Sequence, residues 1–222
     1  MSERGKRQVT KIDEQLKKYG AVIVTRVIDP RGGCAISEVR LRPVRDGKID
    51  DSVFYTVGVT NFASGKPHVE SMGEFVKKSV TLQIGTLLKD IEIRDEMTSF
   101  EPIPPGDYAV TSAICNRSTP KHTDMSRIGR DIVTFTKTET GFREPVPGAN
   151  FIRVRKGDVL DAGFLQIVFK GEGKGFNTKT YDSGELVAVP VPQEYKDYLQ
   201  SEMPDFYARL RFDVFTGGRF KE

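Results

Sequence analysis

The chain has 222 residues, with 34 Lys and Arg against 31 Asp and Glu and a net charge of +3. That balance argues against a dedicated nucleic-acid binder, which carries a strong basic excess or stripe. A hydrophobic content of 37% with 14 Phe and 7 Tyr supplies enough anchors for a core and excludes a disordered chain, and there is no run of about 18 apolar residues, the length of a membrane-crossing helix.

Residues 1–18 (MSERGKRQVTKIDEQLKK) carry six basic and three acidic residues. They are expected as a flexible basic segment, a solvated tail or short helix, ahead of a single domain over residues 19–222. No apolar stretch follows them that could act as a signal-peptide core. The chain therefore reads either as cytoplasmic or as one whose export signal precedes Met1. Residues 21–28 (AVIVTRVI) are nearly all apolar and β-branched, the pattern of a central strand buried on both faces. A turn at Asp29-Pro30-Arg31-Gly32-Gly33 leads to an alternating strand over residues 35–44. Asp46-Gly47 is a hairpin signal because both residues tolerate positive φ. Residues 52–60 (SVFYTVGVT) form the next expected strand and residues 61–73 a loop. Residues 75–93 are long and strand-like, with Gly85 marking a bulge or bend.

Pro102, Pro104, Pro105 and Gly106 punctuate the chain before a strand over residues 107–115. In that strand Tyr108, Val110 and Ser112 alternate with Asp107, Ala109, Thr111 and Ala113. Residues 116–129 read as a polar excursion loop, and residues 131–140 (DIVTFTKTET) as an alternating strand. The strand FIRV at residues 151–154 is followed by a tight turn, Arg155-Lys156-Gly157-Asp158, joining it to a second antiparallel strand, VLDAGFLQIVF. GEGKG at residues 171–175 suits a hairpin tip, and residues 185–191 a further strand. Apolar residues at Tyr195, Tyr198, Leu199, Met203, Phe206, Tyr207 and Leu210 recur at helical spacing, so a helix is expected around residues 193–210, broken at Pro204. Short strands at regular spacing with one late helix predict an all-β fold, a mainly antiparallel β-sandwich with a C-terminal helix.

Chemistry is sparse. His68 and His122 both sit in polar, loop-like stretches, and no G-x-S-x-G nucleophile elbow occurs. Cys115 and His122 lack a third group to orient them as a nucleophile pair. Asp46, Asp50 and Asp51 read as a solvated acidic turn, and no metal clip of the C-x-x-C or H-x-x-x-H kind is present. GEGKG lacks both the spacing and the following helix of a phosphate loop. Carboxylates are plentiful but no pair stands out, and the absence of Trp counts against an aromatic sugar platform. No catalytic residue, metal or cofactor is assigned. Cys34 and Cys115 lie at strand ends, where they read either as one disulfide or as two buried thiols behaving as small hydrophobes.

Three segments resemble bacterial exported proteins and lipoproteins of unknown function with a prealbumin-like β-sandwich. They are KKYGAVIVTRVI, the pair IPPGDYAVTSAIC and FIRVRKGDVLDAGFLQIVF, and EYKDYLQSEMPDFYARL, together about a third of the chain. The chain departs from that group by its inserted residues 116–129 and by having neither an export signal nor a lipidation cysteine at its start. The resemblance implies a non-catalytic periplasmic or outer-membrane-associated module that contacts an envelope protein or surface polymer, with membrane anchoring through a missing N-terminal lipid signal. It carries over no catalytic residue. Two other readings stand beside it: a hydrolase with a cryptic site on the sandwich rim, and a cytoplasmic or phage structural protein.

Overall fold

The β-branched run after Gly20 forms the central strand that its composition predicts, and the rest of the fold is arranged around it. The computed structural model describes residues 3–29, 32–34, 36–61, 100–118, 123–128, 144–170, 173–174, 179–180 and 183–220. In chain order these form helix α1 (Glu3–Tyr19), then strands β1 (Ala21–Asp29), β2 (Gly32–Gly33), β3 (Ile36–Arg45), β4 (Lys48–Ile49), β5 (Tyr55–Asn61), β6 (Glu101–Ile103) and β7 (Gly106–Ser118). There follow β8 (Thr123–Ile128), β9 (Phe151–Val154), β10 (Val159–Lys170), β11 (Gly173–Lys174), β12 (Lys179–Thr180) and β13 (Ser183–Val189). Helices α2 (Gln193–Glu202) and α3 (Pro204–Tyr207) and strand β14 (Leu210–Phe212) complete the described order.

Two sheets form a mostly β, sandwich-like fold. The first has the order β13-β10-β1-β2, with β14 beside β10 and β6 beside β1. The second has the order β4-β3-β7-β8, with β5 beside β3 and β9 beside β7. Ala21, Ile23, Val27, Leu160 and Leu165 of the first sheet meet Val39, Leu41, Tyr108 and Val110 of the second in one apolar core. Strand β1 is buried on its other face as well. There Val22 packs with Val159, Phe206 and Ile12 of α1.

That contact corrects the flexible segment expected at residues 1–18. Val9, Ile12 and Leu16 recur at helical spacing and lie on the first sheet, so the segment folds as a 17-residue helix. It ends where Gly20, at φ +93°, donates its N–H to Leu16 O at 2.9 Å, a left-handed helix stop. Lys17 and Lys18 in its last turn suit the negative end of the helix dipole. At the other end of the chain the helix expected around residues 193–210 divides at Pro204, which opens α3, and the chain is back in strand by Leu210. Among the described residues no helix is long and apolar enough to cross a membrane.

The sheets are rich in antiparallel pairs, but the centre of the first is parallel. Strand β10 runs parallel to β1, from Val22↔Val159 to Ile28↔Gln166, and parallel to β14. The reason is the turn at residues 155–158. It joins no hairpin. It carries the chain from β9 in the second sheet to β10 in the first. Asp158 pins the crossover by accepting the Arg155 N–H at 2.6 Å and two guanidinium hydrogen bonds from Arg211 at 3.1 and 2.7 Å.

Two bulges reset which residues face inward. In β7 the pairing steps from Arg40↔Ser112 to Leu41↔Val110. Thr111 is the extra residue, and Ser112 consequently lies on the face opposite Tyr108 and Val110, not on theirs. In β10 the pairing steps from Val24↔Asp161 to Arg26↔Phe164. Gly163 makes this possible at φ +66°, so Leu160 and Ala162 before it, and Leu165 and Ile167 after it, all reach the core.

The Asp46-Gly47 hairpin forms as expected, at φ 53° and 77°, and joins β3 to β4. The excursion loop expected at residues 116–129 is largely strand. Strand β7 continues to Ser118 and pairs with β8 from Ala113↔Ile128 to Ser118↔Thr123. The strands expected over residues 75–93 and 131–140, the bend at Gly85 and the loop over residues 62–73 lie outside the described residues.

A Cβ at Gly163 would stand 2.5 Å from Val189 O, and its backbone angle is strained for any L side chain. Gly163→Ala is expected to cost about 3 kcal/mol of stability, read as a lowered urea midpoint. A loss below about 1 kcal/mol would show that β10 can bulge without glycine.

Candidate functional site

The residues singled out from the sequence do not converge on a reaction centre. Cys34, just after β2, and Cys115, on β7, form a disulfide with a Cα–Cα separation of 5.1 Å. Both sulfur-bearing residues are fully buried in the inter-sheet core, so the bridge ties the first sheet to the second. His68 and His122 lie outside the described residues. Asp46 is exposed at its hairpin turn. Asp50 accepts hydrogen bonds from the Ser52 hydroxyl at 2.5 Å and N–H at 3.0 Å, and these, before any charge, hold its carboxyl below the usual range. Among the described residues no three His, Cys, Asp or Glu gather as a metal site. Within GEGKG, Gly173 and Lys174 pair with Lys179 and Thr180 as a small antiparallel ladder.

Two ionic features escaped the sequence reading. The first lies on the outer face of the first sheet. Arg26 makes a two-pronged contact with Asp161, at 2.7 and 3.1 Å, and reaches the Tyr195 hydroxyl of α2 at 3.4 Å. Its guanidinium also stacks 5.4 Å from the ring centres of Phe164 and Tyr195. Asp161 is 1% exposed and also accepts the Gly163 N–H at 3.1 Å. Burial alone would lower the pKa of Arg26, but Asp161 and Tyr195 outweigh it and the pKa is raised. Burial pushes the Tyr195 hydroxyl up to about 12 against the opposing pull of Arg26. Every charge here has a partner. The cluster locks α2 onto the sheet. The signal for it was present: an arginine in a run that reads as buried on both faces demands a buried acid.

The second feature lies on the outer face of the second sheet. A cleft of about 370 Å³ is lined by Val44, Asp46, Asp107, Phe151, Arg219 and Phe220, within the size range of small-molecule sites. Asp107 is held by Arg153 through bonds of 2.6 and 2.7 Å, chiefly these, and its carboxyl sits below the usual range. Two ladder steps along, Arg42 pairs with Ala109, and the exposed ring of Phe54 lies 5.0 Å from the guanidinium of Arg40 and 5.6 Å from that of Arg42. Arginines, aromatic rings and a carboxylate on one sheet face can hold a polar or anionic ligand.

The cleft's far wall depends on a strap at residues 144–150. Val146 N–H donates to Val110 O in the second sheet, while Leu186 in the first exchanges hydrogen bonds with Pro147 O and the Ala149 N–H. Asn150 anchors the strap. Its amide donates to Val146 O at 2.6 Å, and its side-chain oxygen accepts the Gly218 N–H at 2.8 Å, which sets residues 216–220 over Phe151.

Arg26→Met leaves the Asp161 carboxylate buried without a counter-ion. It is expected to cost about 3 to 5 kcal/mol, with a smaller loss when Asp161→Asn is added, since Asn still accepts the Gly163 N–H. Equal losses in the single and double variants, by urea denaturation, would remove the pair's role. Because the folded-state pKa of Tyr195 is raised from 10.0 to about 12, its contribution is complete below pH 10 and declines as pH rises toward 12. Tyr195→Phe should therefore flatten the alkaline fall of the urea midpoint over that window. An unchanged fall would place the titrating group elsewhere.

No family model, no curated protein and no solved structure matches this chain.

Proposed function

We propose that this protein is a non-catalytic binding or structural module of the bacterial cell envelope, working in an oxidising compartment. The observation that carries the reading is the Cys34–Cys115 disulfide, buried in the core between the two sheets. Such bridges persist in periplasmic and extracellular proteins and are rare where glutathione and thioredoxin keep thiols reduced. The bridge closes a separation of 81 residues, worth about 4.5 kcal/mol in the chain-entropy account. The resemblance of its strand and helix segments to exported sandwich proteins points the same way. The polar cleft on the second sheet gives such a module a surface on which to hold an envelope component.

The test is to trap thiols in native cells with a membrane-permeant alkylating mass tag, then fractionate. The natural gene product is expected in the envelope or periplasmic fraction, unlabelled unless reductant is added. Labelling of both cysteines in protein from the cytoplasmic fraction would overturn the proposal.

A further inference from the structure

Two segments from distant parts of the chain meet at the cleft on the second sheet. The β3–β4 hairpin turn brings Asp46, and residues 216–220 bring Arg219 and Phe220. Phe151 lines the same space. Both segments are fixed in place. Asp46 and Gly47 hold the turn at φ 53° and 77°. Phe151 and Thr216 exchange backbone hydrogen bonds of 2.8 and 2.9 Å, and Asn150 takes the Gly218 N–H. A Cβ at Gly218 would stand 2.7 Å from the Phe220 ring and 2.9 Å from the Phe151 Cβ. Glycine there lets both phenylalanines close on the backbone and present one apolar wall.

The charges along the cleft differ in kind. Asp107 is engaged by Arg153. Asp46 and Arg219 are exposed, and among the described residues neither side chain has a hydrogen-bond or ion-pair partner. One cavity therefore offers an unengaged carboxylate, an unengaged guanidinium and an apolar wall. The complementary ligand carries an ammonium, a carboxylate and an apolar group. Size narrows the choice. A volume of about 370 Å³ corresponds to a compact space about 9 Å across. One residue of chain with a hydrogen bond at either end spans about the same distance.

We propose that the cleft binds a free apolar amino acid, its ammonium on Asp46, its carboxylate on Arg219 and its side chain against Phe151 and Phe220. The proposal rests on the reading of this protein as a binding module and names what that module holds.

The experiment is an NMR titration of the full chain at neutral pH and matched ionic strength, following the Gly217 and Gly218 amides, with L-leucine as probe. A saturable shift is expected. Leucinamide, which lacks the carboxylate, and N-acetyl-leucine, which lacks the ammonium, should each bind about tenfold more weakly. Asp46→Asn should weaken leucine about tenfold and leave N-acetyl-leucine unchanged, and Arg219→Gln should weaken leucine and leave leucinamide unchanged. Asn tolerates the positive φ of the turn, and both positions are exposed, so the urea midpoints should match that of the parent. No saturable shift, equal affinity for leucine and its two blocked forms, or parental affinity in both variants would overturn the proposal. So would tighter binding of leucyl-leucine, which would make the cleft a peptide site, or a shift with glucose and none with leucine, which would make it a sugar site. A failed titration leaves the thiol-trapping result standing, and thiols labelled in the cytoplasm leave the titration standing, so the two readings fail separately.

Discussion

Asp161 is the residue through which the first sheet holds together. Its carboxylate takes the guanidinium of Arg26 from the neighbouring strand and the N–H of Gly163 from its own. The second contact stabilises the bulge, and Thr25 secures the same glycine from the other side by donating its hydroxyl to Gly163 O at 3.2 Å. With the bulge in place, Leu160 and Ala162 before it and Leu165 and Ile167 after it turn toward the core. A regular strand would send one of those sets outward. One buried acid therefore fixes both the inner face of the sheet and, through Arg26 and Tyr195, the seat of helix α2 on its outer face.

The two sheets are joined by covalent and by hydrogen-bonded means. The disulfide links them within the core. The strap at residues 144–150 links them at the rim, hydrogen-bonding to Val110 on one side and Leu186 on the other. Gly148 is needed in that strap, since a Cβ there would stand 2.2 Å from Leu186 O. A rim held this firmly gives the outer face of the second sheet a rigid floor, and rigid elements hold binding groups more accurately than loops do.

Much of this architecture was legible in the sequence where one segment decides its own fate. The run AVIVTRVI gave a doubly buried strand, Asp46-Gly47 a hairpin, and Pro204 a helix start. Features that depend on a distant partner were hidden. Val9, Ile12 and Leu16 have helical spacing, but they sit among so many charges that only the waiting surface of Val22 and Phe206 shows the helix to be docked. Thr111 resembles any other strand residue until its pairing with β3 reveals the bulge that turns Ser112 outward. The parallel pairing of β1 with β10 left no local mark, because the crossover turn has the composition of a hairpin turn. As for the binding face, Arg40 and Arg42 alternate correctly for an outer surface, yet alternation says nothing about whether a guanidinium nitrogen finds an acceptor.

The long-range pairing of Val22 with Val159 also has a kinetic side. Strand β1 leaves the ribosome apolar on both faces, well before its parallel neighbour is made. Ordering so remote a contact demands a large loop-closure entropy before any burial rewards it. The nascent chain therefore spends its synthesis with a sticky segment uncovered, and a holding chaperone or prompt threading through a translocation channel is what would keep it from aggregating.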